Sequence, residues 1–127
     1  MDATLEFPTL GNRSIDVSFL VDSGADCTVL SPTIAGALGT EVKTLSPGPI
    51  TAGVGGKTDT RAVPAILRFG DVAIPIVLVV FEVTGRTTAM PSILGRDALS
   101  HFALVMEERT DRVLLRTPDE ADRVNWP

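Results

Sequence analysis

Phe19-Leu20-Val21-Asp22-Ser23-Gly24-Ala25-Asp26 is the stretch on which the fold turns. Ile15 to Val21 reads as a strand, with Ile15, Val17, Phe19 and Val21 on one face. It runs straight into Asp22-Ser23-Gly24-Ala25, which carries turn chemistry. Strong strand formers therefore stop abruptly at an acid. An aspartate at a strand exit stands where functional side chains commonly lie, on a loop positioned by a rigid element.

Working outward, Ala3 to Phe7 alternates and predicts a strand, and Leu10-Gly11-Asn12-Arg13 a turn. After Val29 and Leu30, Ser31 suits an N-cap, Pro32 the first helical position and Gly39 the C-terminal cap. The short helix between them is weakened by Gly36. Residues 40–50, with Pro47 and Pro49, predict an irregular loop or edge strand. Ala52-Gly53-Val54-Gly55-Gly56, between 50–51 and 58–69, predicts a hairpin with a mobile, glycine-rich tip. Gly70-Asp71 turns the chain into 72–83, whose nearly unbroken apolar character predicts a strand buried on both faces. A polar loop over 84–91 precedes the short strand Ser92-Ile93-Leu94-Gly95 and a short helix over 96–102. Residues 103–106 and 112–116 predict a final hairpin around 108–111. Residues 1–116 are thus expected to form one domain, and 117–127 a polar, frayed tail. No repeat is visible, and Asp-Ser-Gly occurs once.

Composition agrees with an all-β reading. The chain has 127 residues, the size of one domain, with 44% hydrophobic residues, only 5% aromatic, eleven glycines and nine prolines. The net charge of −5 argues against nucleic acid as a partner, since no cationic surface would release phosphate counterions. No basic run suggests contact with an anionic membrane. The start lacks the pattern of a signal peptide. The longest apolar run, Val72 to Phe81, contains Pro75 and falls short of the about 20 residues of a membrane helix. A soluble chain compatible with the cytoplasm is expected, its location otherwise open. Cys27 is the only cysteine, so no intrachain disulfide and no cysteine-rich metal site is expected, and no cofactor is implied.

The residues around Asp22 resemble the active-site signature of retropepsin-like aspartic proteases, a hydrophobic strand followed by Asp-Ser/Thr-Gly-Ala. Ser92-Ile93-Leu94-Gly95-Arg96-Asp97 is similar to the family's second hallmark, two hydrophobic residues, then Gly-Arg-Asp/Asn. Ala52-Gly53-Val54-Gly55-Gly56 falls between them, where the family has its flap. The resemblance spans about residues 3–116 and implies a retropepsin-like closed barrel, the acid-protease fold, with one or two short helices. The helix after Val29-Leu30-Ser31-Pro32 and the long C-terminal segment look more like cellular and bacterial members than viral ones.

What the resemblance implies about chemistry is specific. By this resemblance Asp22 would be the catalytic aspartate, one per subunit of a homodimer that cleaves a peptide or protein substrate. Two carboxylates about 3 Å apart cannot both ionise and share one proton. One then acts as base toward water while the other donates to the scissile carbonyl. One copy of the motif per chain requires a twin from a second subunit. Ser23 would bond across the dimer, Gly24 would let the backbone meet the substrate, and Ala25 would support the loop. Asp26 would pair with Arg96 in support of the loop. Gly53, Val54 and Gly55 would close over the peptide, and Ile93 would line its pocket.

Other readings compete. A retropepsin-fold module that only dimerises or binds peptide is the main alternative. Gly55-Gly56-Lys57-Thr58 resembles the end of a phosphate-binding loop, but its required first glycine falls at Thr51 and the following segment predicts a strand. Cys27 lacks a triad partner, since the one histidine, His101, lies in a separate helix; both read as ordinary packing or surface residues.

Overall fold

The strand leading to Asp22 lies at the edge of the main sheet, and the order of that sheet explains how distant segments reach it. The structure is a computed structural model. It describes residues 1–39, 41–49, 51–53, 56–58, 60–82 and 89–123. The strands are β1 (Asp2–Phe7), β2 (Arg13–Ser18), β3 (Leu20–Val21), β4 (Val29–Leu30), β5 (Ser46–Pro47), β6 (Thr51–Gly53), β7 (Gly56–Thr58), β8 (Thr60–Phe69), β9 (Val72–Phe81), β10 (Ile93–Leu94), β11 (Ala103–Glu107) and β12 (Arg112–Arg116). Three helices of one turn or little more join them: α1 (Pro32–Ala35), α2 (Arg96–Leu99) and α3 (Pro118–Asp122). Among the described residues, the main sheet runs β2-β1-β8-β9-β4-β10-β3, with β5 added beside β8. It curls into a half barrel, the all-β architecture expected.

Alternation sets which face is buried. Ala3, Leu5 and Phe7 of β1 point inward with Val17 of β2, Val63, Ala65 and Leu67 of β8, and Ile74, Ile76, Leu78 and Val80 of β9. Leu30, Leu94, Ala98 and Leu99 close the same core from the active-site side, and Ala35 and Leu38 complete it. The polar outer half carries Thr4 bonded to Asp16 and Arg68 bonded to Glu6.

The 72–83 expectation needs correction. β9 is not buried on both faces throughout: Ala73, Pro75 and Val77 are exposed, Val77 at 60%, and only 78–81 are buried without a break. The composition hid this because the outward residues are themselves apolar. Pro64 and Pro75 occupy positions where a missing N–H leaves the ladder intact. Val79 N donates to Thr28 O, away from β8, so by alternation residue 75 also faces away from β8. Pro64 pairs with Val77 and likewise faces away from β9, between the partners β5 and β1.

The helical segments differ from expectation in detail. Ser31 occupies the N-cap of α1, but its hydroxyl bonds Thr33 instead of a helix N–H. The segment tightens into a 3-10 turn at Gly36–Leu38 and ends at Gly39 with φ of 71°. Residues 117–123 are not frayed. Thr117 and Glu120 form a reciprocal capping box at the start of α3, with Pro118 beside the cap. Residues 124–127 and most of the 84–91 loop lie outside the described residues. No described helix is long and apolar enough to cross a membrane.

Candidate active site

Asp22 follows β3 directly, and its own backbone is held by the neighbouring strand: Asp22 N donates to Leu94 O at 3.1 Å. β3 and β10 run parallel, with Ile93 opposite Leu20 and Leu94 opposite Val21. β4, on the far side of the loop, pairs β10 from its other edge. The loop from 22 to 28 therefore leaves β10 and returns to it. The half-buried carboxylate of Asp22 accepts from Gly24 N at 2.9 Å, and Ala25 N donates to Asp22 O at 3.2 Å. These local bonds make a tight turn, with Ser23 and Gly24 exposed at its tip. Leu20, two residues before the acid, is 57% exposed.

α2 supplies the second wall. Arg96 N donates to Ala25 O at 2.8 Å and Asp97 N to Asp26 O at 3.2 Å. Arg96 Nη2 lies 3.3 Å from Asp26 Oδ1. Gly95 lets these segments touch. A Cβ there would run into the Cys27 carbonyl and come within 3.0 Å of Ala25 O.

Three residues, Thr28, Ser92 and Asp97, have supporting roles that the sequence alone does not reveal. Thr28, fully buried, donates through its hydroxyl to Asp97 Oδ1 at 2.7 Å and through its N–H to Asp97 Oδ2 at 3.1 Å. Its hydroxyl also accepts from Gly95 N at 3.2 Å. Ser92, also buried, accepts from Ser31 N with its hydroxyl and from Leu20 N with its carbonyl, joining the entries of α1 and β3. Asp97 was visible as part of Gly-Arg-Asp, but nothing local ties it to a threonine 69 positions away.

Asp22, Ser23, Gly24, Ala25, Asp26 and Arg96 thus share one loop-and-helix corner, with Ile93 on the strand beneath. Gly53 pairs with Gly56 in the two-stranded β6–β7 ladder. Val54 and Gly55 lie outside the described residues. Cys27 is half-buried, and its thiol is pushed up, first by burial and then by the charges of Asp97 and Asp26. His101 is exposed. Among the described residues, no cluster of His, Cys, Asp or Glu could hold a metal ion.

Comparisons with known proteins point the same way. A family model described as "gag-polyprotein putative aspartyl protease" matches residues 10–101. No curated protein sequence matches the chain. Among solved structures, the chain is similar to the EIAV protease complexed with the inhibitor HBY-793, at 24% identity and a TM-score of 0.56 over 79% of this chain and 83% of that one. A retropepsin-like aspartic protease from Rickettsia conorii gives 16% identity and a TM-score of 0.61, covering 91% and 89%. The retroviral protease-like domain of Ddi1 from Leishmania major gives 18% and 0.51, covering 96% of each. At these identities the likeness is one of fold.

Proposed function

The chain belongs to the gag-polyprotein aspartyl protease family, and on that premise we propose that it is an aspartic endopeptidase whose site is completed by a second copy of itself. The observation that carries the proposal is the placement of Asp22. It stands at a strand exit, on a turn braced by Gly24, against the Gly95-Arg96-Asp97 corner. The proposed protease domain is residues 1–116, with 117–127 an appended segment.

Each subunit contributes one Asp22, so the two-fold axis passes between the two carboxylates. The pair holds one proton between its members and titrates as a unit. The ionised member removes a proton from water as the water oxygen bonds to the peptide carbon. The protonated member gives its proton to the carbonyl oxygen. Collapse of the tetrahedral species breaks the C–N bond: the leaving nitrogen takes the proton that the first carboxylate removed from water, and the second carboxylate recovers a proton from the diol hydroxyl that becomes the product carbonyl. The turn at Ser23-Gly24 brings backbone to the substrate, and the β6–β7 ladder, which carries Gly53, stands as the proposed cover. Exposed Leu20 and the strand bearing Ile93 favour apolar side chains beside the cut bond.

The test is cleavage of a diverse peptide library at mildly acidic pH, with Asp22→Asn beside the unaltered chain. Cleavage lost only in the variant supports the mechanism; equal cleavage by both overturns it. Peptide retained without cleavage at any pH would instead identify a non-catalytic peptide-binding module.

A further inference from the structure

We infer that Asp97 is a positioning residue of this site, its carboxylate holding the Asp22 loop through Thr28. The role in catalysis rests on the aspartic protease reading; the hold on the loop does not.

Gly95 N can only donate, and it donates to the Thr28 hydroxyl. That hydroxyl has a single hydrogen, which goes to Asp97 Oδ1. Asp97 Oδ1 also accepts from Ala98 N at 2.9 Å, and Oδ2 from Thr28 N. Both oxygens of Asp97 therefore face donors, and its carboxylate accepts at both ends. An alanine there leaves the Thr28 hydroxyl and N–H without these acceptors in a partly buried place.

The geometry connects this network to Asp22. Thr28 closes the loop that Asp22 opens, and Thr28 O accepts from Val79 N of β9. Loss of the Asp97 bonds loosens the return limb of the loop, leaving the backbone bonds at Ala25, Asp26 and Thr28 O to hold it. Asp97 itself has no described contact with Asp22, so its influence runs through the loop. A carboxylate dyad needs its members placed closely, and a displacement of about 1 Å can cost on the order of 100-fold in rate.

Cys27 provides a readout independent of activity, since it precedes Thr28 and is half-buried by the same packing. The experiment compares Asp97→Ala, Thr28→Val, the double variant and Asp26→Asn, measuring kcat, KM and the rate of Cys27 alkylation. Asp26→Asn removes a charge near Cys27 without touching the Thr28 network. Thr28→Val breaks the network without changing charge. Alkylation rates are referred to the urea-unfolded chain, so a variant that fails to fold is recognised by reaching that rate, and the other variant then carries the test. The expected result is kcat lowered on the order of tenfold or more in Asp97→Ala and Thr28→Val, with KM within about twofold. Both should alkylate several-fold faster than the unaltered chain, and the double variant no faster than the worse single one. Thr28→Val alkylating at the unaltered rate, or Asp97→Ala merely matching Asp26→Asn, overturns the inference. If the unaltered chain cleaves no peptide, the protease reading fails, and the alkylation comparison alone decides whether Asp97 holds the loop.

Discussion

Arg96 lies 3.3 Å from Asp26, yet the two side chains are 66% and 84% exposed, so water screens the pair that joins the two signature motifs. An ion pair this open contributes about 0–1 kcal/mol. The firmer attachment is backbone: Arg96 N to Ala25 O and Asp97 N to Asp26 O. Arg96→Ala is therefore expected to shift the urea unfolding free energy of the chain by less than about 1 kcal/mol. A loss of several kcal/mol would show that the guanidinium, and not the backbone, holds the corner.

Two glycines should respond in opposite directions. Gly95→Ala places a methyl against the Cys27 carbonyl, and forcing the backbone apart is expected to cost about 1–3 kcal/mol and most of the activity. Gly36 has helical angles, and nothing lies within 4 Å of where an added methyl would stand. Gly36→Ala should therefore stabilise the chain by about 0.4–1 kcal/mol. Urea unfolding of both variants checks the signs, and a destabilised Gly36→Ala would contradict the helical account of α1.

Adjacent residues of β9 should differ sharply. Leu78 is fully buried, and Leu78→Ala is expected to cost about 2–5 kcal/mol. Val77 is mostly exposed, and Val77→Thr should stay within about 0.5 kcal/mol of the unaltered chain. Similar losses at the two positions would mean that the outer face of β9 is covered after all.

Cys27 should be a slow thiol. Burial, and then the charges of Asp97 and Asp26, hold its proton above the ordinary cysteine range. The reactive form is the thiolate, so at neutral pH less of it is present than in an unperturbed cysteine. Iodoacetamide should react with the folded chain more slowly than with glutathione at neutral pH. Its rate should keep rising at alkaline pH after the glutathione rate has levelled. Asp26→Asn should raise the neutral-pH rate modestly, and alkylation as fast as glutathione's would refute the assigned surroundings.

The sequence reading succeeded where signals were short and local. Asp22-Ser23-Gly24 and Gly95-Arg96-Asp97 were each legible, and alternation in residues 3–7 and 15–21 marked their buried faces. It failed where a signal was uniform or distant. In 72–83 both faces carry apolar residues, so no period shows which one meets solvent. The Thr28–Asp97 contact spans 69 positions and exists only because β10 threads between β3 and β4. The tail was a different miss. Thr117, Pro118 and Glu120 spell a capping box, and the polar composition around them was given more weight than that local pattern.

The prolines of the long hairpin bear on what else this surface meets. Along 72–77 the described residues place no strand beside β9 on the side away from β8, a row of backbone groups that invites stray pairing. Pro75 breaks that row at its centre by offering no hydrogen where an incoming strand would seek one. For a chain proposed to work only after finding its own twin, encounters are frequent by necessity. Pro75 therefore makes this flank a poorer template for stray strand addition.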